Sequence, residues 1–170
     1  MTEGTKAASP EPWLRGTLTE VPAVPRAVLH ALELAGEDLH KWCGGLTETQ
    51  LNARPAGIAS VAFHLRHIAR SLDRLLTYAE GAVLTERQIA AINRESEAGA
   101  TSQELFAELD ASLGRSAVRV RRLAGDLAAV RTVGKRQLTT TLGGLLIHVA
   151  DHTQRHVGQA ITTAKLVAAR

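Results

Sequence analysis

His148, His152 and His156 recur at intervals of four in the stretch HVADHTQRHVGQ, inside a segment whose other periodic positions are apolar. A helix turns about 100° per residue, so side chains four apart differ by only ~40° and stand roughly one turn apart along the axis. Two such imidazoles can address one atom. Projected on a helix, Leu142, Leu146, Val149, Ala160 and Val167 define an inward side. His152 and His156 fall within that side, in places where core residues are expected. A polar group buried without a partner costs about 1–3 kcal/mol, so two inward imidazoles need hydrogen bonds or a cation.

A second stretch, FHLRHIARS, offers His64 and His67 on one flank of another apolar stripe, with Ser71 and Tyr78 along the same edge. Either histidine can face the first set. Three neutral nitrogens with an open fourth position describe a catalytic type of Zn²⁺ site, and equally a Ni²⁺ or Fe²⁺ site, because ligand type alone does not select the metal. Other metal chemistries fail on residue identity. A zincin needs His-Glu-x-x-His, yet Val149 and Thr153 follow His148 and His152. Di-iron bundles need Glu-x-x-His on two helices, and neither RHIAR nor DHTQRH supplies it. Asp151 projects ~100° away from His152, so it reads as a surface carboxylate or a support for a ligand, and a histidine–carboxylate iron triad is disfavoured. Cys43 has no identifiable histidine partner and reads as a small hydrophobe.

The elements that must position these residues follow from periodicity. After Pro22 and Pro25, a first helix carries Val28, Leu32, Ala35, Leu39 and Trp42 on its stripe and ends at Gly44 and Gly45, with His30 and His40 off the stripe and expected at the surface. The segment LTETQLNARPAG is a connector. A second helix is expected from about Ile58 to Ala79, burying Ile58, Val61, Ala62, Leu65, Ile68, Leu72 and Leu76 and turning Arg66, Arg70, Asp73 and Arg74 to other sides. A weakly helical connector, LTERQIAAINRESEAGA, leads to a third helix capped by Thr101 or Ser102 and supported by Glu104, with Leu105, Leu109, Leu113, Val120, Leu123 and Leu127 inward. RTVGKRQL breaks the pattern, and a fourth helix starts near Thr139 to Thr141. Gly143, Gly144 and Gly158 are read as places of close helix approach.

Four long amphipathic helices make a bundle, so the fold class is all-α. The composition agrees: hydrophobic residues reach 45% and aromatics only 3%, with Ala and Leu abundant. Residues 1–21 read as a partly disordered tail whose first dozen positions fray, although PWLRGTL is apolar enough to dock, and residues 22–170 read as the bundle domain. A single cysteine excludes an internal disulfide and points to a reducing cytoplasm. Neither a signal-type leader nor a membrane-length apolar run is visible. The net charge of +3 invites a nucleic-acid reading, but the basic residues are scattered, and even RSAVRVRRLAGD lacks aromatic stacking residues or a recognition motif. No nucleic-acid or membrane partner is expected.

The set VAFHLRHIARSLDRLLTYAEG, followed after a gap of about 60 residues by GGLLIHVADHTQRHVGQAITTAKL, resembles the DinB/YfiT-like family of bacterial four-helix bundles from about Trp13 to Val167. The resemblance implies an up-down-down-up bundle, often a homodimer, with a divalent metal on three histidines: His67, His152 and His156. On that pattern His148 becomes a neighbour of the site able to exchange protons, and His64, Tyr78, Arg155 and Gln159 are candidates for the surrounding shell or substrate pocket. It further implies transfer of a low-molecular-weight thiol, such as mycothiol, bacillithiol or glutathione, to an electrophilic small molecule, or a related hydrolysis. Zn²⁺ or Ni²⁺ is the expected ion, with Fe²⁺ as a further option. The competing expectation is a non-enzymatic dimeric bundle that binds a ligand or stress signal.

Overall fold

The computed structural model describes residues 9–169. Six helices and one hairpin follow in order among them: α1 (Ala23–Cys43), α2 (Glu48–Asn52), α3 (Val61–Ala79), α4 (Glu86–Asn93), α5 (Ser102–Arg122), β1 (Val130–Val133), β2 (Leu138–Thr141) and α6 (Leu142–Ala168). Every helix after α1 begins on a hydroxyl. Ser60 accepts from the Phe63 amide to open α3, Thr101 forms a capping box with Glu104 to open α5, and Thr141 accepts from the Gly144 amide to open α6. Such a cap contributes about 1 kcal/mol by satisfying an amide that the helix itself leaves unpaired.

The four long helices form the bundle, α6 and α5 each packing along both α1 and α3, so that the order around the axis is α1, α6, α3, α5. Cross-contacts give the directions. Along the α3–α6 seam Ala59, His64 and His67 meet Thr163, His156 and His152 in turn, so these helices run antiparallel. Along α3–α5, Ala69 and Asp73 meet Ser112 and Arg119, and along α1–α6, Ala31 and Trp42 meet Gln154 and Lys165; both pairs run parallel. Leu39, Leu65, Ile68, Leu72, Leu76, Leu105, Leu109 and Leu146 fill the centre with no exposed surface to speak of. None of the helices is long and apolar enough to cross a membrane, among the described residues.

Several expectations need correction. Ile58 lies outside α3 and is exposed, because Ser60 is the cap and the preceding chain turns at Pro55–Gly57. Trp42 is also exposed, with the Lys165 ammonium 4.4 Å from its ring centre, while the neighbouring Cys43 is fully buried. His30 is buried, not superficial: the chain before α1 folds back and places the Thr17 hydroxyl 3.2 Å from its Nε2. Residues 1–8 of the expected tail lie outside the described residues, but Pro12–Leu14 form a 3₁₀ turn and Arg15 pairs with Glu33 and Glu37 on α1. Leu127 falls beyond α5, which ends at Arg122. The connectors hold short helices, α2 and α4, each opened by a Thr–Gln capping box. RTVGKRQL belongs to a hairpin, β1 pairing antiparallel with β2 from Val130 opposite Thr141 to Val133 opposite Leu138. That hairpin delivers the chain directly into α6.

Candidate metal centre

The antiparallel seam of α3 and α6 repeats its contacts about once per turn, and at two successive rungs the contact is imidazole on imidazole. His67 Nε2 stands 3.0 Å from His152 Nε2, and His64 Nδ1 stands 3.1 Å from His156 Nδ1. His67, His152 and His156 each offer a nitrogen, and the three lie within 4.8 Å of one another. The spacing of four in α6 works as expected, but not from core positions. Val149, Thr153 and Val157 take the buried side of α6, while His152 and His156 are only partly buried on the flank that faces α3.

Behind His67 stands a chain of charge that spacing along the helices did not reveal. Its Nδ1 lies 2.7 Å from Glu95 Oε2, and the other Glu95 oxygen accepts from Arg74 at 2.6 Å. Glu95 is only 5% exposed although it sits in the loop after α4. Burial alone pushes its carboxyl up, but the hydrogen bonds from His67 and Arg74 outweigh that and hold it below the usual range. A charged carboxylate accepts, so Nδ1 of His67 donates to Glu95 and its Nε2 is the nitrogen turned to the cluster. The loop is fastened by a row of α3 arginines: Arg66 donates to the Glu97 carbonyl, Arg70 to the Ala91 carbonyl and Arg74 to Glu95. Their spacing of four, beside His67, was the available sign that this flank needs acceptors.

His64, His152 and His156 are held without charge. Burial pushes His64, His152 and His156 down to about 4, and the proximity of the other histidines adds to it. All three are therefore neutral at physiological pH, the form that binds metal. His64 is buried and engages His156 through Nδ1, which leaves Nε2 of His156 as the nitrogen free for the cluster. Phe63 stacks on His67 at 5.3 Å between ring centres and shields that face. Ligating nitrogens at 2.0–2.1 Å around a tetrahedral ion stand about 3.3 Å apart. The 3.0 Å between His67 and His152, the neutral rings and the fixed tautomer suit a divalent cation held by His67, His152 and His156.

Residues 31–160 match the family model of the DinB superfamily, a stretch that contains the three histidines as well as Glu95 and Arg74. The chain belongs to the DinB superfamily. None of the curated proteins compared matches it.

The other candidate residues of this DinB superfamily member are placed unevenly. His148 lies at the outer edge, its ring 5.5 Å from that of His152 and its Nδ1 3.9 Å from Asp151. Asp151 is exposed and accepts from Arg155 at 2.6 Å, so the carboxylate that supports a histidine of the cluster is Glu95 instead. Arg155 and Gln159 border a cavity of about 630 Å³ that His64 and His156 close on its inner side. Tyr78 is not brought to the cluster. It shares the edge of α3 with His67 but sits about three turns, or ~16 Å, further along, where it lines a separate cavity with Val83, Leu84 and Ile89.

Proposed function

We propose that this protein is a cytoplasmic, metal-dependent transferase that joins a low-molecular-weight thiol of the mycothiol, bacillithiol or glutathione type to an electrophilic small molecule, or a hydrolase of related mechanism. The observation that carries the reading is the set of three imidazoles from two helices, one of them braced by a buried carboxylate, beside a cavity able to admit a small molecule. The helix directions read from the seams, α1 with α6 and α3 with α5, support the family's up-down-down-up bundle. A homodimer belongs to the same proposal.

When bound, a divalent cation supplies a Lewis acid that favours the deprotonated form of a thiol or of water at neutral pH. Zn²⁺ and Ni²⁺ suit three imidazoles best, with Fe²⁺ as a third candidate. The chain's own residues do the rest. Glu95 and Arg74 fix the His67 tautomer, His64 orients His156, Phe63 keeps water from one face, and the half-exposed His148 can pass a proton between the site and solvent.

The test is metal analysis of untagged protein with His152→Ala as control. About one equivalent per chain, lost in the variant, is expected; less than about half an equivalent in the parent protein overturns the metal reading. The metal-loaded protein is then assayed with each thiol class and simple electrophiles. Bound metal without turnover of any electrophile overturns the enzyme reading and leaves a metal-containing ligand-binding or stress-response bundle.

A further inference from the structure

Among the described residues, none of the three glycines read as points of close helix approach has another helix against it: Gly143 abuts the chain between α5 and β1, and Gly144 abuts the end of β2. A Cβ on Gly143 would meet the Leu127 carbonyl oxygen at 3.2 Å, and one on Gly144 would meet the Thr140 hydroxyl at 2.9 Å. Gly158 has nothing within 4 Å of where its Cβ would stand, so no neighbour requires its absence. Glycine is nonetheless a poor residue for the middle of a 27-residue helix such as α6. What Gly158 does border is the cavity of about 630 Å³ between the start of α3 and the second half of α6. A side chain there would project into open volume that the glycine leaves free.

The lining of that cavity is chemically one-sided. Ile58, Ala59 and Phe63 supply apolar walls, and Ile58 keeps 42% of its surface exposed in the absence of a cover. Arg155 is the one permanently charged side chain of the lining, which includes no carboxylate among the described residues. Its Nη2 rests on Asp151, while Nε and Nη1 engage no protein acceptor among the described residues. Gln159, one turn on from Arg155, adds an amide at the same border, and the partly buried His156 lines the cavity beside these two exposed residues.

We propose that this cavity binds a small molecule that is apolar over most of its surface and bears one anionic group, a carboxylate or sulfonate. The anion meets Arg155 and Gln159, the apolar body lies against Ile58, Ala59 and Phe63 in the volume left by Gly158, and one edge reaches His156. The assignment of that edge as the reacting part rests on the metal-centre reading; the rest of the site does not. An arginine with free donors recognises a carboxylate directionally, and apolar walls reward a hydrophobic body.

The test uses 1-naphthylacetate as probe and its neutral amide as control, titrated by calorimetry into the full chain, with metal content and thermal melting recorded for every variant. Naphthylacetate should bind at least about tenfold more tightly than the amide, since a charge-assisted pair is lost. Arg155→Gln should erase that preference while leaving residual binding of both. Gly158→Phe should abolish binding of both, with an unchanged or raised melting temperature and unchanged metal content. Equal binding of naphthylacetate to Gly158→Phe and the parent protein overturns the proposal, as does a preference for naphthylacetate over the amide that survives Arg155→Gln. A metal-free parent protein that still shows these responses refutes the metal centre and leaves the anion site standing. A metal-loaded protein indifferent to both ligands does the reverse.

Discussion

His67 on α3 and His152 on α6 meet nitrogen to nitrogen, yet what stands behind each ring differs. His67 is backed by a buried carboxylate and, behind that, by an arginine, drawn from a loop and from two turns further along its own helix. His152 and His156 are backed by burial and by other neutral imidazoles, and the nearest carboxylate, Asp151, is an exposed partner of Arg155. One side of the centre is fixed by charge and the other by packing. A carboxylate behind an imidazole raises its basicity and locks its tautomer, whereas burial only keeps an imidazole neutral. On the proposed metal reading, α3 would supply the ligand braced by charge and α6 the pair held by packing.

Removing a ligand from either side should give the largest effect, and the two removals should differ in kind. His67→Ala and His152→Ala are both expected to lose metal affinity by more than the roughly 10–100-fold that an outer partner contributes. Only His67→Ala also strips a hydrogen bond from a buried, charged carboxylate, so it should destabilise the metal-free fold more than His152→Ala does, by about 1–3 kcal/mol in denaturant titration. Equal stability losses would mean that charge and packing hold the rings alike.

Next in size is the carboxylate itself. Glu95→Gln keeps an acceptor for His67 and removes the charge, and metal affinity measured by competition with a chelator should fall about 10–100-fold. Asp151→Asn, on the exposed α6 side, should change it by less than about twofold. A reversal of that order would reassign the supporting carboxylate.

This contrast also explains what was legible in the sequence. The α6 histidines share one helix, and a spacing of four carries their geometry directly. His67 required a partner helix to be placed, which the family resemblance supplied and the apolar stripe alone left level with His64. Glu95 had no such route, because a loop residue 28 positions away from His67 owes its place to tertiary contacts made by the α3 arginines. The four bundle helices were legible because each repeats an apolar stripe over many turns. The hairpin was not, since strands of four residues offer too few alternations to outweigh a reading as a break. The cover of His30 comes from residues that precede α1, so the periodicity of α1 carries no sign of its burial.

A smaller effect is expected from acid. His64, His152 and His156 have folded values near 4 against an ordinary value of 6.5, so between those limits the unfolded chain binds more protons than the folded one. Their contribution to the stability of the metal-free protein is thus complete above about pH 6.5 and is lost as pH falls toward 4, with a slope of at most about 1.4 kcal/mol per pH unit for each imidazole. Melting temperatures of the metal-free chain across this range should decline, and His156→Ala should make the decline shallower. A flat profile would show that the α6 side is not held by burial of neutral rings.

The smallest effect concerns Tyr78, and it separates face from depth. His64, His67, Ser71 and Tyr78 fall on one edge when α3 is projected down its axis, which is why the tyrosine was expected near the site. That projection discards the axial coordinate. At 1.5 Å per residue Tyr78 lies ~16 Å beyond His67, beside the turn of the β1–β2 hairpin, and lines a cavity with Val83, Leu84 and Gly134. Tyr78→Phe keeps the ring and its packing, so stability should stay within about 0.5 kcal/mol of the parent protein and metal affinity should not change. A loss of metal affinity in this variant, with stability unaltered, would mean that the far end of α3 is coupled to the cluster through the helix. The division of the centre into a charged α3 side and a packed α6 side would then have to extend along the whole seam.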